Sequence, residues 1–152
     1  MKKYTLIVLL LLGISVHATD TNPLLIHSNE PIPFNKIDKS IVRDAVQAVM
    51  KKSDDRVKAI IAVPAGKQTI ANTLIAMDEL QYDISDLGAK LGLITSTFDD
   101  DSTRTVANSE SDRLSEYSSN LLLNEKLYKA LLQLSNLEDA KRASASQQKF
   151  LR

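Results

Sequence analysis

Imidazole and thiol chemistry are almost absent from this chain. Its 152 residues include two histidines, His17 and His27, and no cysteine. A zinc-peptidase helix of the H-E-x-x-H kind needs two His four residues apart, so that both imidazoles face one metal with the Glu as base. One histidine in a mature chain cannot supply that. His27-Ser28 places an imidazole beside a hydroxyl in sequence. A catalytic triad needs spatial convergence and an orienting acid, and the segment around His27 is expected to be loose. Asp99-Asp100-Asp101 looks like a cation site, but it lacks the Gly at the sixth loop position and the distal Glu of a calcium loop. Its expected role is a solvated turn whose acids favour the next helix N-terminus. Ala65-Gly66-Lys67 lacks the paired glycines of a phosphate loop, and Ser109-Glu110-Ser111-Asp112 reads as an exposed helix segment. The residues therefore assign no catalytic, cofactor-binding or metal-ligating position.

Composition excludes further classes. The absence of Cys removes a disulfide framework, a thiol nucleophile, a thiolate metal site and a Cys-anchored lipoprotein. Nineteen basic residues balance nineteen acidic ones, so the chain has no electrostatic footprint for nucleic acid or an anionic membrane. At 43 % apolar residues it is not wholly disordered. Without Trp, and with few aromatics, the core must be built from Leu, Ile, Val, Ala and Met.

Residues 1–18 have the three parts of a secretory signal peptide. Lys2 and Lys3 form a basic n-region, residues 5–16 an apolar h-region, and Val16-His17-Ala18 a short-residue cleavage site. The apolar run is shorter than the roughly 20 residues needed to cross a bilayer. The expectation is an exported protein, periplasmic or secreted, with no membrane attachment after cleavage. Its mature chain begins near Thr19 and forms one domain by length.

The elements that must position any site follow from breakers and stripes. Pro23, Pro31 and Pro33 make residues 19–37 an extended arm. No proline follows Pro64 and no glycine follows Gly92, which favours helix. Val42, Val46, Val49, Val57 and Ile60 form a helical stripe after Asp38 or Ser40, either of which can cap. Pro64-Ala65-Gly66 ends that helix. Ile70, Leu74 and Met77 mark a second. Ile84, Leu87, Leu91, Ile94 and Phe98 mark a third, interrupted at Asp99-Asp100-Asp101. Val106, Leu114, Tyr117 and Leu121 mark a fourth. Asn124 can cap a fifth carrying Leu127, Leu131 and Leu134, and residues 137–151 form a weakly amphipathic sixth. No run alternates with period two. The predicted class is all-α, with antiparallel helical hairpins following the arm.

Certain words, in order, carry a resemblance. Asn22-Pro23-Leu24-Leu25 is followed by Pro33-Phe34 and Ile37. Next comes Thr69-Ile70-Ala71-Asn72-Thr73-Leu74-Ile75-Ala76-Met77, and then Leu121-Leu122-Leu123-Asn124-Glu125-Lys126-Leu127. This resembles the N-terminal region of the thimet-oligopeptidase family of zinc metallopeptidases, which includes oligopeptidase A and the peptidyl-dipeptidases. The resemblance spans about residues 20 to 151. Three positions depart from the family pattern: Gln68 stands where it has Pro, Ile70 where it has Phe, and Ala71 where it has an acid. Thr69 is expected to cap a helix, and Asn72 and Thr73 to bond locally or across helices.

The resemblance implies that residues 38–152 form a helical lobe, part of one wall of a channel that admits short peptides. In the complete enzyme zinc, its ligands and the general-base Glu belong to a later H-E-x-x-H region, none of which maps here. The chain is then either a truncated piece lacking its C-terminal catalytic lobe or a repurposed standalone lobe. The uncapped end at Phe150-Leu151-Arg152 is expected to reflect truncation. The alternative is a secreted helical binding module without enzymatic activity.

Overall fold

A computed structural model describes residues 22–27 and 31–150. The expected signal peptide, residues 1–18, lies outside them. The described residues are all-α. No helix among them is long and apolar enough to cross a membrane.

Each long helix starts where a side chain satisfies the free N–H groups of its first turn. Asp38 accepts from the N–H groups of Ser40 and Ile41 at 2.8 and 2.9 Å and starts α1, Lys39–Ile61. Pro64 and Gly66, at φ 78°, turn the chain after it. Thr69 and Asn72 then form a reciprocal cap: Thr69 Oγ1 accepts from Asn72 N–H, and Asn72 Oδ1 accepts from Thr69 N–H. The capped segment is a π-helical turn, Ile70–Ile75, that runs directly into α2, Ala76–Thr97. The second and third predicted helices are therefore one continuous run. The residues between their stripes contain no breaker, so nothing stops the first from continuing into the second.

Asp100 caps α3, Asp101–Leu122. Its carboxylate accepts from Thr103 Oγ1, Ser102 Oγ and Thr103 N–H, which hold its pKa down to about 2. The acidic turn thus serves the next helix, as expected. Asn124 accepts from Lys126 and Leu127 N–H and starts α4, Glu125–Ser135. The predicted sixth helix is instead two short ones, α5, Glu138–Lys141, and α6, Ala145–Phe150. Ser144 separates them, and its N–H is capped by Gln147 Oε1.

Each of α1, α2 and α3 packs on the other two. Helices of 22 or 23 residues span about 33 Å. The short link 98–100 makes α2 and α3 antiparallel. Their apolar stripes meet in one core, with Val42, Val46, Leu80, Leu91 and Ile94 at 0 % exposure. Tyr117 of α3 ties itself to α1: its O–H donates to Asp54 Oδ1 at 2.8 Å, and its oxygen lies 3.2 Å from Met50 O. Burial, then the Asp54 carboxylate, pushes its phenol pKa up. A smaller cluster of Leu74, Leu134 and Ala140, flanked by Ile70 and Leu131, joins the π turn to α4 and α5.

The described residues of the arm, 22–27 and 31–37, are docked, not loose. Asn22 Oδ1 accepts from Leu24 N–H and its Nδ2 donates to Ile41 O at 2.8 Å. Leu24 is 1 % exposed, Ile37 is buried, and Phe34 stacks against Phe98 with ring centroids 5.9 Å apart. The prolines dictate an extended path, but Leu24, Phe34 and Ile37 supply apolar surface that pulls that path onto the helices.

Replacing Leu91 by Ala should cost about 2–5 kcal/mol, because the core cannot collapse around the cavity left behind. Replacing the exposed Leu123 should change stability by no more than about 0.5 kcal/mol. Urea melts of the two variants check the contrast.

Candidate functional site

The densest polar cluster lies where the arm crosses α1 and α2. Its centre is Asp83, which falls on the buried face of α2 between Leu80, Ile84 and Leu87. A carboxylate there must be paired or it destabilises the fold. Two basic residues one turn apart on α1 reach it. Lys52 Nζ lies 2.8 Å from Asp83 Oδ2, and Arg56 Nη1 donates to the same oxygen at 2.6 Å. Arg56 also reaches Glu79 at 3.1 Å. From the arm, His27 Nε2 lies 3.1 Å from Asp83 Oδ1, and its Nδ1 lies 3.0 Å from Asp86 Oδ2. Burial raises the Asp83 pKa, but Lys52, Arg56 and His27 together outweigh it and leave the carboxyl below its ordinary range.

Lys90, one turn after Asp86, completes the cluster. Its ammonium donates to Asp86 Oδ2 at 2.7 Å and to the arm carbonyls of Leu24 and Ile26 at 3.0 and 2.9 Å. Its three protons thus have three acceptors. Beneath the arm lies a cavity of about 120 Å³, with Leu24, Val49 and Leu87 at its apolar end and His27, Lys52 and Asp83 at its polar end. The Tyr82 ring lies 5.2 Å from that of His27.

This arrangement fastens the arm to α1 and α2. Both nitrogens of His27 face carboxylate oxygens, so neither is available to a substrate or metal without breaking a contact. Among the described residues, no three His, Asp or Glu converge in a way that could hold a metal ion. The donor set here does not fit a catalytic zinc. Ser28 lies outside the described residues. Glu110 pairs with Arg113 on α3, at 3.2 Å.

Sequence reasoning missed the cluster as a unit. One signal pointed to it: Asp83 stands in the apolar stripe of α2, where a charge needs an explanation. Its partners come from three stretches of sequence, and only the fold brings them together.

The words of the resemblance occupy the joints of the fold. Asn22 caps the first turn of the arm, and Pro23 occupies that turn's first position. Thr69 and Asn72 form the cap of the π turn, Asn72 Nδ2 donates to Lys67 O, and Thr73 Oγ1 donates to Asn72 Oδ1. Asn124 turns α3 into α4. Gln68 is 3 % exposed. Its Oε1 accepts from Gly66 N–H at 2.9 Å and its Nε2 donates to Gln133 Oε1 at 2.8 Å.

Comparison with known proteins gives a partial likeness. Over 84 residues the chain is 33 % identical to a thimet-like oligopeptidase of Dictyostelium discoideum. The matched stretch is 55 % of this chain and 12 % of that protein. No family model matches the chain, and no solved structure matches it.

Replacing Asp83 by Asn should cost about 1–3 kcal/mol, since it leaves Lys52, Arg56 and His27 without their shared charge. Hydrogen exchange at Leu24, Leu25 and Ile26 should quicken as the arm loosens. Because the folded-state pKa of Asp83 is lowered, the stability it lends is complete above about pH 4 and fades as pH falls through that lowered value. Urea melts from pH 2 to 7 should show this loss in the parent and a shallower acid limb in D83N.

Proposed function

We propose that this chain is an N-terminal, channel-wall helical lobe of an exported zinc-dependent oligopeptidase or peptidyl-dipeptidase acting on short peptides, and that alone it has no peptidase activity. The observation that carries this reading is the 84-residue match to the thimet-like oligopeptidase. The ordered words at the joints of the fold support it. In this reading zinc and the residues that activate water belong to a catalytic lobe built from other sequence, and the present helices position and enclose the peptide.

The surface is consistent with a lobe that rests against something larger. Leu122, Leu123 and Tyr128 are 63 %, 81 % and 62 % exposed at the corner between α3 and α4. Large side chains this open to water favour association. A second reading, a standalone helical interaction module, is favoured by a different observation. The main core closes within the chain, and even the arm finds its own partners.

Two measurements test these readings. Purified chain mixed with a quenched fluorescent peptide and zinc should show no turnover. Hydrolysis that a chelator abolishes and zinc restores, with contaminating proteases excluded, would overturn the predicted inactivity. Sedimentation over a concentration series should show association that weakens when Leu122 and Leu123 are both replaced by Asp. A strictly monomeric parent that unfolds in one sharp transition supports the standalone module over the lobe.

A further inference from the structure

A cleft on the other side of α2 carries an unsatisfied donor. Gln81 Nε2 is buried and has no hydrogen-bond partner among the described residues. Such a group bears its full desolvation cost, and orphans of this kind in folded proteins call for an explanation. Gln81 lines a cleft of about 330 Å³ between the start of α2 and α6. Leu74, Ile75 and Met77 form its apolar side, Gln147 of α6 faces them, and Asp78 stands one turn before Gln81 on α2. Asp78 makes no ion pair among the described residues. The π-helical turn that supplies Leu74 and Ile75 is itself a rare feature, frequent at functional sites.

The chemistry of the cleft selects its occupant. The terminal torsion of a Gln side chain is soft, so the Gln81 amide can turn from the wall toward the cleft. It then offers an N–H to an acceptor. A carboxylate or phosphate acceptor would meet the negative charge of Asp78 one turn away. A simple amine would satisfy Asp78 and leave Gln81 unpaired. A neutral carboxamide answers both, with its carbonyl accepting from Gln81 and its N–H donating to Asp78. Leu74, Ile75 and Met77 would receive a short alkyl chain attached to it. The volume exceeds the roughly 30 Å³ of one water molecule by enough to admit such a group. We propose that the cleft between α2 and α6 binds an aliphatic carboxamide through Gln81 and Asp78.

The test uses the full chain labelled with ¹⁵N and titrated with isobutyramide, isobutyrate and isobutylamine. Isobutyramide should shift the Gln81 side-chain amide and the backbone signals of residues 74–78 saturably. The acid and the amine should bind at least about tenfold more weakly, since each leaves one polar group unmatched. Gln81→Leu should remove the response while keeping the fold, because it replaces the orphan with an apolar group of similar size. Asp78→Asn should erase most of the discrimination against isobutyrate. The proposal is overturned by no saturable shift with isobutyramide, by equal response to isobutyrate, or by full binding in Q81L. It is equally overturned if the Gln81 amide contacts a long-lived water that isobutyramide does not displace.

Discussion

One buried carboxylate ties three parts of the chain together. Asp83 sits in the apolar face of α2 at 7 % exposure, and its charge is met from two other parts of the chain. Lys52 and Arg56 bring α1 to it, and His27 brings the arm. Hydrophobic burial is non-directional and by itself distinguishes registers less sharply than a fixed charge does. A carboxylate with fixed partners resists a slide of one helix along the other, since each turn of displacement moves Lys52 and Arg56 away from Asp83. The charge thus favours this register of α1 on α2, and hydrophobic burial supplies the driving force.

Most of the helical architecture was legible in the sequence because it rests on local rules. Asp38, Thr69 and Asn124 begin their elements for the reason their side chains suggest, and the turn 98–101 ends one helix and starts the next. What escaped were features set by distant contacts. Leu24 and Ile37 read as part of a proline-rich arm, and only the neighbouring helices show that they are buried. The division of residues 137–151 depends on Ser144 and Gln147, two polar residues that carry no periodic signal. The Asp83 cluster joins positions 56 residues apart, and no spacing rule reaches that far.

The same contrast explains what the resemblance can mean. Asn22, Thr69, Asn72 and Asn124 are caps, fixed by the geometry of the backbone they serve. Words of this kind specify a shape and carry no reagent. The Gln68 side chain pins the bend after α1 to α4 through Gln133. The one amide holds Gly66 in the bend and reaches a second helix.

The two apolar clusters differ greatly in size, which has a consequence for how the chain comes apart. The larger unites the arm with α1, α2 and α3 and also takes Leu127 and Ala130 of α4. The smaller holds Leu134 and Ala140 against the π turn, helped by the bond from Ile70 N–H to Asp139. Beyond it, α6 follows the exposed residues Lys141, Arg142 and Ser144. Segments with so little buried surface open at a small fraction of the global free energy. A trypsin-like protease meets a basic pair there in backbone that needs only local opening to be cut. The first nick would fall between α5 and α6 and leave the packing of α1, α2 and α3 intact.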